Sequence, residues 1–211
     1  MIEILYEDNH ILVALKPKGV LSQADGSDKP DMLTLLKDYI KDKYNKPGNV
    51  YLGLIHRLDL FTNGIMVFAK TSKAASRLST QIQNHLFVKK YLAIVEGNLT
   101  ESGRLSHFLS KNEQEKRSYL DPKGQEAILE YQVLAHQEEE ATLVDITLRT
   151  GRFHQIRSQF SLIGHPLYGD HKYGSKKEID YNEFPLEAYS LQFFHPITQE
   201  PMVFEHKTLH L

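Results

Sequence analysis

The chain has 211 residues and no cysteine, which allows one substantial core or two small ones and excludes disulfides and thiolate metal sites. With 41% hydrophobic residues, 25% charged residues and a formal net charge of −2, it has an ordinary globular composition, without the blanket basicity of a general nucleic-acid binder. Its first eight residues are too acidic for a signal peptide and no apolar run reaches the roughly 20 residues of a membrane helix, so a cytoplasmic protein with no membrane partner is expected.

Residues 2–6 and 10–15 read as two short strands joined by Glu7-Asp-Asn9, followed by a punctuated loop at Lys16-Pro-Lys-Gly-Val20. Asp31 is placed to cap a helix whose apolar positions Leu33, Leu36, Tyr39 and Ile40 recur at helical spacing, and Asn45-Lys-Pro-Gly48 ends it. The apolar runs 51–55 and 65–69 read as buried strands. Thr71 or Ser72 then caps a second helix over about residues 73–85, with Ala74, Ala75, Leu78 and Ile82 on its inner face. A strand follows over 87–96 and stops at Gly97. The section up to Gln125 is less regular, and residues 117–124 look like an exposed excursion.

Residues 127–134 and 141–148 alternate as paired strands across an acidic turn at 137–140. A third helix begins after Gly151, with Phe153, Ile156, Phe160 and Ile163 as its buried stripe and Gly164 at its end. After a turn-rich loop from His165 to Gly174, residues 188–194 and 201–206 close the chain as strands. Strands and helices without strict alternation give an α+β fold on a largely antiparallel mixed sheet flanked by helices. No linker separates a second core, so a single domain over 1–211 is expected.

Charge is unevenly distributed. Residues 60–95 contain no acid but hold Lys70, Lys73, Arg77, Lys89 and Lys90; residues 146–169 contain none but hold Arg149, Arg152 and Arg157. If these segments share a face, that face is strongly positive. Two solvated surfaces that merely lack acids are the plainer alternative.

The chemistry-bearing stretch is His56-Arg57-Leu58-Asp59 followed by the turn cluster Thr62-Asn63-Gly64. A carboxylate where a core strand runs out is costly unless paired or used. Burial alone raises an aspartate pKa of about 3.9 by up to 3–5 units, whereas a guanidinium within reach lowers it by about 1–3. A buried carboxylate nucleophile therefore needs an arginine: Arg57 is near in sequence, and Arg152 or Arg157 could be near in space. A purely structural Asp–Arg pair satisfies the same residues. Tyr91, on a strand with Lys89 on its own face and Lys90 on the other, suits stacking on a planar ligand or simply half-burial in a sheet. Eleven histidines invite a metal reading, yet no ligand spacing of the His-Glu-x-x-His kind occurs and no phosphate-cradling glycine loop is present.

His56-Arg-Leu-Asp59 with Thr62-Asn-Gly64, Lys90-Tyr91-Leu-Ala, Gly151-Arg-x-His-Gln-Ile-Arg157 and Gly164-His-Pro-Leu-Tyr-Gly-Asp170 together resemble the RluA-type pseudouridine synthases. The opening Asp8-Asn-His-Ile-Leu-Val-Ala-Leu-Lys-Pro-Lys-Gly19 resembles the start of that catalytic domain. The resemblance implies an isomerase that converts chosen uridines of structured RNA (a ribosomal or transfer RNA stem-loop) to pseudouridine. By that likeness Asp59 is the nucleophile, Tyr91 packs on the base and helps remove the C5 proton, and Arg157 pairs with Asp59. Arg57 holds the gap left by the flipped base, and Ile156 and Leu167 wall the uracil. His56, Thr62, Lys90, Arg152, His154 and Gln155 complete the implied substrate contacts.

Reaching a stacked base requires flipping it out, at a cost of a few kcal/mol. The implied reaction needs neither cofactor nor metal. Asn63 departs from the family's more usual serine, and both suit a turn. Many relatives carry an S4-like module ahead of the catalytic domain; this sequence opens on the catalytic domain, and a monomer working through its own surface is expected. The competing readings are a non-catalytic RNA-binding protein on the same scaffold and a metal-dependent hydrolase using His56, Asp59, His154 and His165.

Overall fold

The computed structural model describes residues 2–137 and 140–210. In chain order its elements are β1 (Ile4–Glu7), β2 (Ile11–Lys16), α1 (Met32–Tyr44), β3 (Gly53–Leu54), β4 (Asn63–Ala69), α2 (Ser72–Gln83), β5 (Val88–Glu96), β6 (Gly103–Asn112), β7 (Arg117–Leu120), β8 (Gln125–Gln137), β9 (Ala141–Leu148), α3 (Gln155–Leu162), β10 (Leu186–Phe194) and β11 (Pro201–Glu205). Single 3-10 turns lie at His171–Tyr173 and Tyr181–Glu183. Each described strand register is antiparallel, so the α+β expectation holds.

The caps are where their residue types put them. Asp31 Oδ1 accepts the Thr34 N–H at 3.1 Å and Thr71 Oγ1 accepts the Ala74 N–H at 3.1 Å, each satisfying an amide that the first helical turn leaves without a partner. Asn45 takes the left-handed conformation that closes α1.

Chain contacts fall into two compact units, Met1–Val88 with Ala188–His206, and Lys89–Glu187 with Lys207–Leu211. In the first, the strands follow the order β1-β2-β4-β10, with β11 also on β10 and β3 also on β4. One face of this sheet carries Ile11, Val13, Ile65, Val67 and Leu191, packed with Ala74 and Leu78 of α2. By strand alternation Leu12, Ala14, Met66 and Phe68 face the other way and are equally buried. Gly64 lies so close to the Ala188 backbone that a Cβ there would collide with it.

In the second unit the order is β5-β9-β8-β6-β7. Tyr91, opposite Ile146 in the β5–β9 pairing, shares a face with Leu129 and Tyr131, and Phe160 of α3 meets the Tyr131 ring edge-on at 5.3 Å.

Several expectations are corrected. Only Gly53 and Leu54 pair as a strand, and Tyr51 is 51% exposed, because the chain leaves the sheet to form the Asp59 loop. Residues 103–120, read as irregular and excursive, are the β6–β7 hairpin. Its inward positions alternate Leu105, His107 and Leu109, and Gln159 of α3 bonds the His107 ring at 3.0 Å, so the inner face is partly polar and the alternation was hidden. The α3 stripe is also partly polar: Gln155, Ser158 and Gln159 are buried with Ile156 and Phe160, while Phe153 is 37% exposed. Part of the acidic turn at 137–140 lies outside the described residues.

Candidate active site

In the first unit, the chain after β3 has little regular pairing of its own and is fixed through its backbone. Ser22 Oγ accepts the Leu58 N–H and donates to the Leu58 carbonyl, both at 2.9 Å. Thr62 N–H bonds the Asp59 carbonyl at 3.1 Å and Gly19 N–H bonds the Leu60 carbonyl at 2.9 Å. Asp59 is thus held on both sides while the residue as a whole is only partly buried.

Beneath this loop is a residue that the sequence reading passed over. Lys16 ends β2 and is 1% exposed, and its Nζ donates to the carbonyls of Pro17 and Leu60 at 3.0 Å each. Burial pushes its ammonium down to about 7, while the Asp59 carboxylate pulls it back up. The same field acts in reverse on Asp59: the buried cation favours the ionised carboxylate. Of the neighbouring candidates, Arg57 is exposed and Thr62 is 1% exposed. His56 accepts the Val67 N–H at its Nε2 (3.2 Å) and packs edge-on against Phe87 at 5.4 Å.

In the second unit, Tyr91 is 6% exposed on β5. Lys89 lies on the Tyr91 face and Lys90 on the other, by strand alternation. Burial lowers the Lys89 ammonium from its usual range, and a Cβ on Gly151 would stand 3.0 Å from Lys89 Nζ, so glycine keeps room for that lysine. Arg157, in the first half of α3, is gripped by Asp170: its Nε meets Oδ2 at 2.6 Å and its NH2 meets Oδ1 at 2.8 Å. NH1 bonds His154 Nε2 at 3.0 Å, and His154 Nδ1 bonds the Tyr173 hydroxyl at 3.0 Å. His154 stands at a positive φ of 47° where the turn enters α3. Burial first, and then the Arg157 charge, push its imidazole down to about 3.

Other candidates are engaged inside the fold. Gln155 accepts from Thr150 Oγ1 and the Arg152 N–H, and donates to the Ile128 carbonyl and Gln159 Oε1; these four bonds fill its amide. Arg152 Nε donates to the Glu126 carbonyl at 2.8 Å. Ile156 and Leu167 are buried. The acid-free segments are partly neutralised by acids from elsewhere, through Lys70–Glu7, Arg149–Glu130 and Arg157–Asp170. A cavity of about 310 Å³ lies beside β7 and α3, lined by Arg117, Ser118, Ser161 and Tyr173 among others, and neither Tyr91 nor Arg157 lines it. Among the described residues no group of three or more histidines and carboxylates is arranged to hold a metal ion. No described helix is long and apolar enough to cross a membrane.

Residues 10–162 match the family model described as RNA pseudouridylate synthase. A Bacillus subtilis protein named "Uncharacterized RNA pseudouridine synthase YlyB" is 35% identical over 207 residues, covering 97% of this chain and 68% of the relative. "Ribosomal large subunit pseudouridine synthase D" of Pseudomonas aeruginosa is 36% identical over 224 residues, with 97% and 67% covered. The solved structure of "Human RNA Pseudouridylate Synthase Domain Containing 4" shares the fold, with a TM-score of 0.78 at 23% identity, covering 97% of this chain and 88% of that one. The motif resemblance and the fold therefore converge, and the chain belongs to the RNA pseudouridine synthases, a family of isomerases that act on RNA.

Proposed function

We propose that this chain converts chosen uridines in a structured RNA stem-loop to pseudouridine, with Asp59 as the nucleophile. The observation that carries this reading is the backbone-fixed Asp59 beside the buried Lys16 ammonium. A carboxylate can attack only when ionised, and a nearby buried cation opposes the rise in pKa that an apolar pocket imposes.

Asp59 attacks the flipped-out nucleotide and the bond from ribose C1′ to uracil N1 breaks. The uracil turns in the pocket, C5 bonds to C1′, the bond to Asp59 breaks and returns the free carboxylate, C5 gives up its proton and N1 gains one. Atoms and electrons balance without a redox partner. Tyr91 supplies the stacking surface and assists removal of the C5 proton. Arg157 serves the Asp59 carboxylate, Arg57 fills the gap in the RNA helix, and Ile156 and Leu167 form the apolar wall. His56, Thr62, Lys90, Arg152, His154 and Gln155 support substrate contacts directly or by shaping the loops that make them. The chain works as a monomer in the cytoplasm, on the surface of one catalytic domain. Relatives named for the large ribosomal subunit make ribosomal RNA the first substrate to try; transfer RNA is the second.

The test is to map pseudouridines in cellular RNA with and without the gene product, then to assay Asp59→Asn on the RNA so identified. Loss of one or a few sites in the deletion, and turnover below detection with RNA binding kept in the variant, is the expected result. Residual turnover by Asp59→Asn overturns the nucleophile assignment. Binding without turnover by the native chain supports a non-catalytic RNA-binding protein instead.

A further inference from the structure

The hydrogen bonds around Arg157 fix more than a helix-to-loop ion pair requires. A guanidinium has five N–H groups and accepts nothing. Asp170 takes Nε–H and one NH2 hydrogen side-on, the geometry in which a carboxylate fixes the guanidinium plane. Because NH1 can only donate, His154 Nε2 must accept, which puts the imidazole proton on Nδ1. That proton is donated to the Tyr173 hydroxyl, which also receives the Ser118 N–H at 2.8 Å. The neutral imidazole this requires agrees with its strongly depressed pKa, about 3.

The guanidinium carbon also lies over two aromatic rings, 5.0 Å from the Tyr173 ring centre and 5.5 Å from that of Phe184. Asp170 is itself rigid. It is 2% exposed, its N–H bonds the Leu167 carbonyl, and its own carbonyl accepts the Tyr173 and Ser175 N–H groups.

We propose that Asp170 and His154 are positioning residues for Arg157, Asp170 setting the plane of the guanidinium and His154 blocking its rotation, so that it holds one orientation before RNA binds. This deepens the functional reading and rests on Arg157 serving the reacting carboxylate. Its rate benefit comes from geometry: about 1 Å of misplacement can cost on the order of 10²-fold.

The first measurement needs no activity. In the ¹⁵N-labelled chain without RNA, the Arg157 side-chain Nε–H signal, assigned by its loss in Arg157→Lys, is expected to exchange slowly with water. Asp170→Asn should speed that exchange at least about tenfold; an unchanged rate overturns the proposal. The second uses the RNA site mapped above. Asp170→Asn should lower kcat by about 30- to 100-fold, with KM within about threefold. Added to Arg157→Lys it should cost almost nothing further, because it acts through that arginine. Additive losses, or a loss confined to KM, overturn the proposal.

His154→Asn tolerates the left-handed backbone but is too short to reach NH1, and should lower kcat about five- to tenfold. It carries the test if Asp170→Asn fails to fold, and a native rate for it removes His154 from the brace. A native chain that turns over no RNA sinks the functional reading while the exchange measurement still decides the brace. A native chain that is active alongside an equally active Asp170→Asn sinks the brace alone.

Discussion

In the first unit Asp59 is placed by main-chain bonds on either side of it, from Ser22, Thr62 and Gly19, and by a lysine that reaches the Leu60 carbonyl. In the second unit Arg157 is placed by what touches its guanidinium: Asp170, His154 and two aromatic rings. The difference follows from side-chain length. An aspartate has two torsions, so fixing its backbone nearly fixes its carboxylate, whereas an arginine on a well-formed helix still has four torsions to settle. A short group can be aimed from the main chain; a long one must be aimed at its tip.

That contrast can be broken most strongly at Lys16, a long side chain whose tip bonds the Asp59 loop. Lys16→Met removes both the donor to Leu60 and the buried cation, and turnover should fall about 10²-fold. The pH dependence of stability gives an independent reading. The lysine sits at about 7 in the fold against 10.5 in the unfolded chain, so the unfolded state binds the extra proton between those values. Native stability should therefore rise relative to Lys16→Met from pH 7 toward 10, by at most about 1.4 kcal/mol per unit. A difference in urea stability that stays flat across that range refutes the lowering of the lysine by burial.

Ser22→Ala sharpens the backbone half of the comparison. It leaves the N–H and C=O of the buried Leu58 without their partner, and should cost about 1–3 kcal/mol in urea denaturation. An effect on turnover with no loss of stability would mean that Ser22 meets the substrate.

The smallest expected effect on activity is at Glu7, where Lys43, Lys70, Tyr39 and Tyr44 converge on one carboxylate. Burial pushes this group up, but the bonds from Lys43, Lys70, Tyr44 and Tyr39 outweigh it and hold it at about 2. Its contribution to stability is complete above about 4.5 and disappears as pH falls through 2. Glu7→Gln should thus be less stable than the native chain at pH 6, match it near pH 2, and turn over RNA normally. A stability gap that persists in acid would place its cause outside the carboxylate.

How much of this was legible in the sequence depended on whether a residue's neighbours advertised its surroundings. The Asp59 loop was readable because a charged tetrapeptide interrupts apolar runs, and the caps Asp31 and Thr71 because capping is local. Lys16 was not, since a lysine before proline at the end of an apolar strand looks like any residue leaving a core. Asp170 looked like a turn residue in a glycine-rich loop; nothing local says that it reaches back thirteen residues to Arg157. The β6–β7 hairpin was missed because polar residues share its inner face, His107 on Gln159 above all. Gln155 was read as a substrate contact from its motif, and the motif did not show that its side chain also ties Thr150, Arg152, Ile128 and Gln159 together.

The Tyr173 hydroxyl that steadies His154 also sits on the outward-facing N–H of Ser118, in the outermost strand of its sheet. An unguarded strand of this kind is an invitation to strand-by-strand association between copies. One phenol thus does double service, orienting an imidazole and capping a site where a neighbouring chain would otherwise begin to zip on.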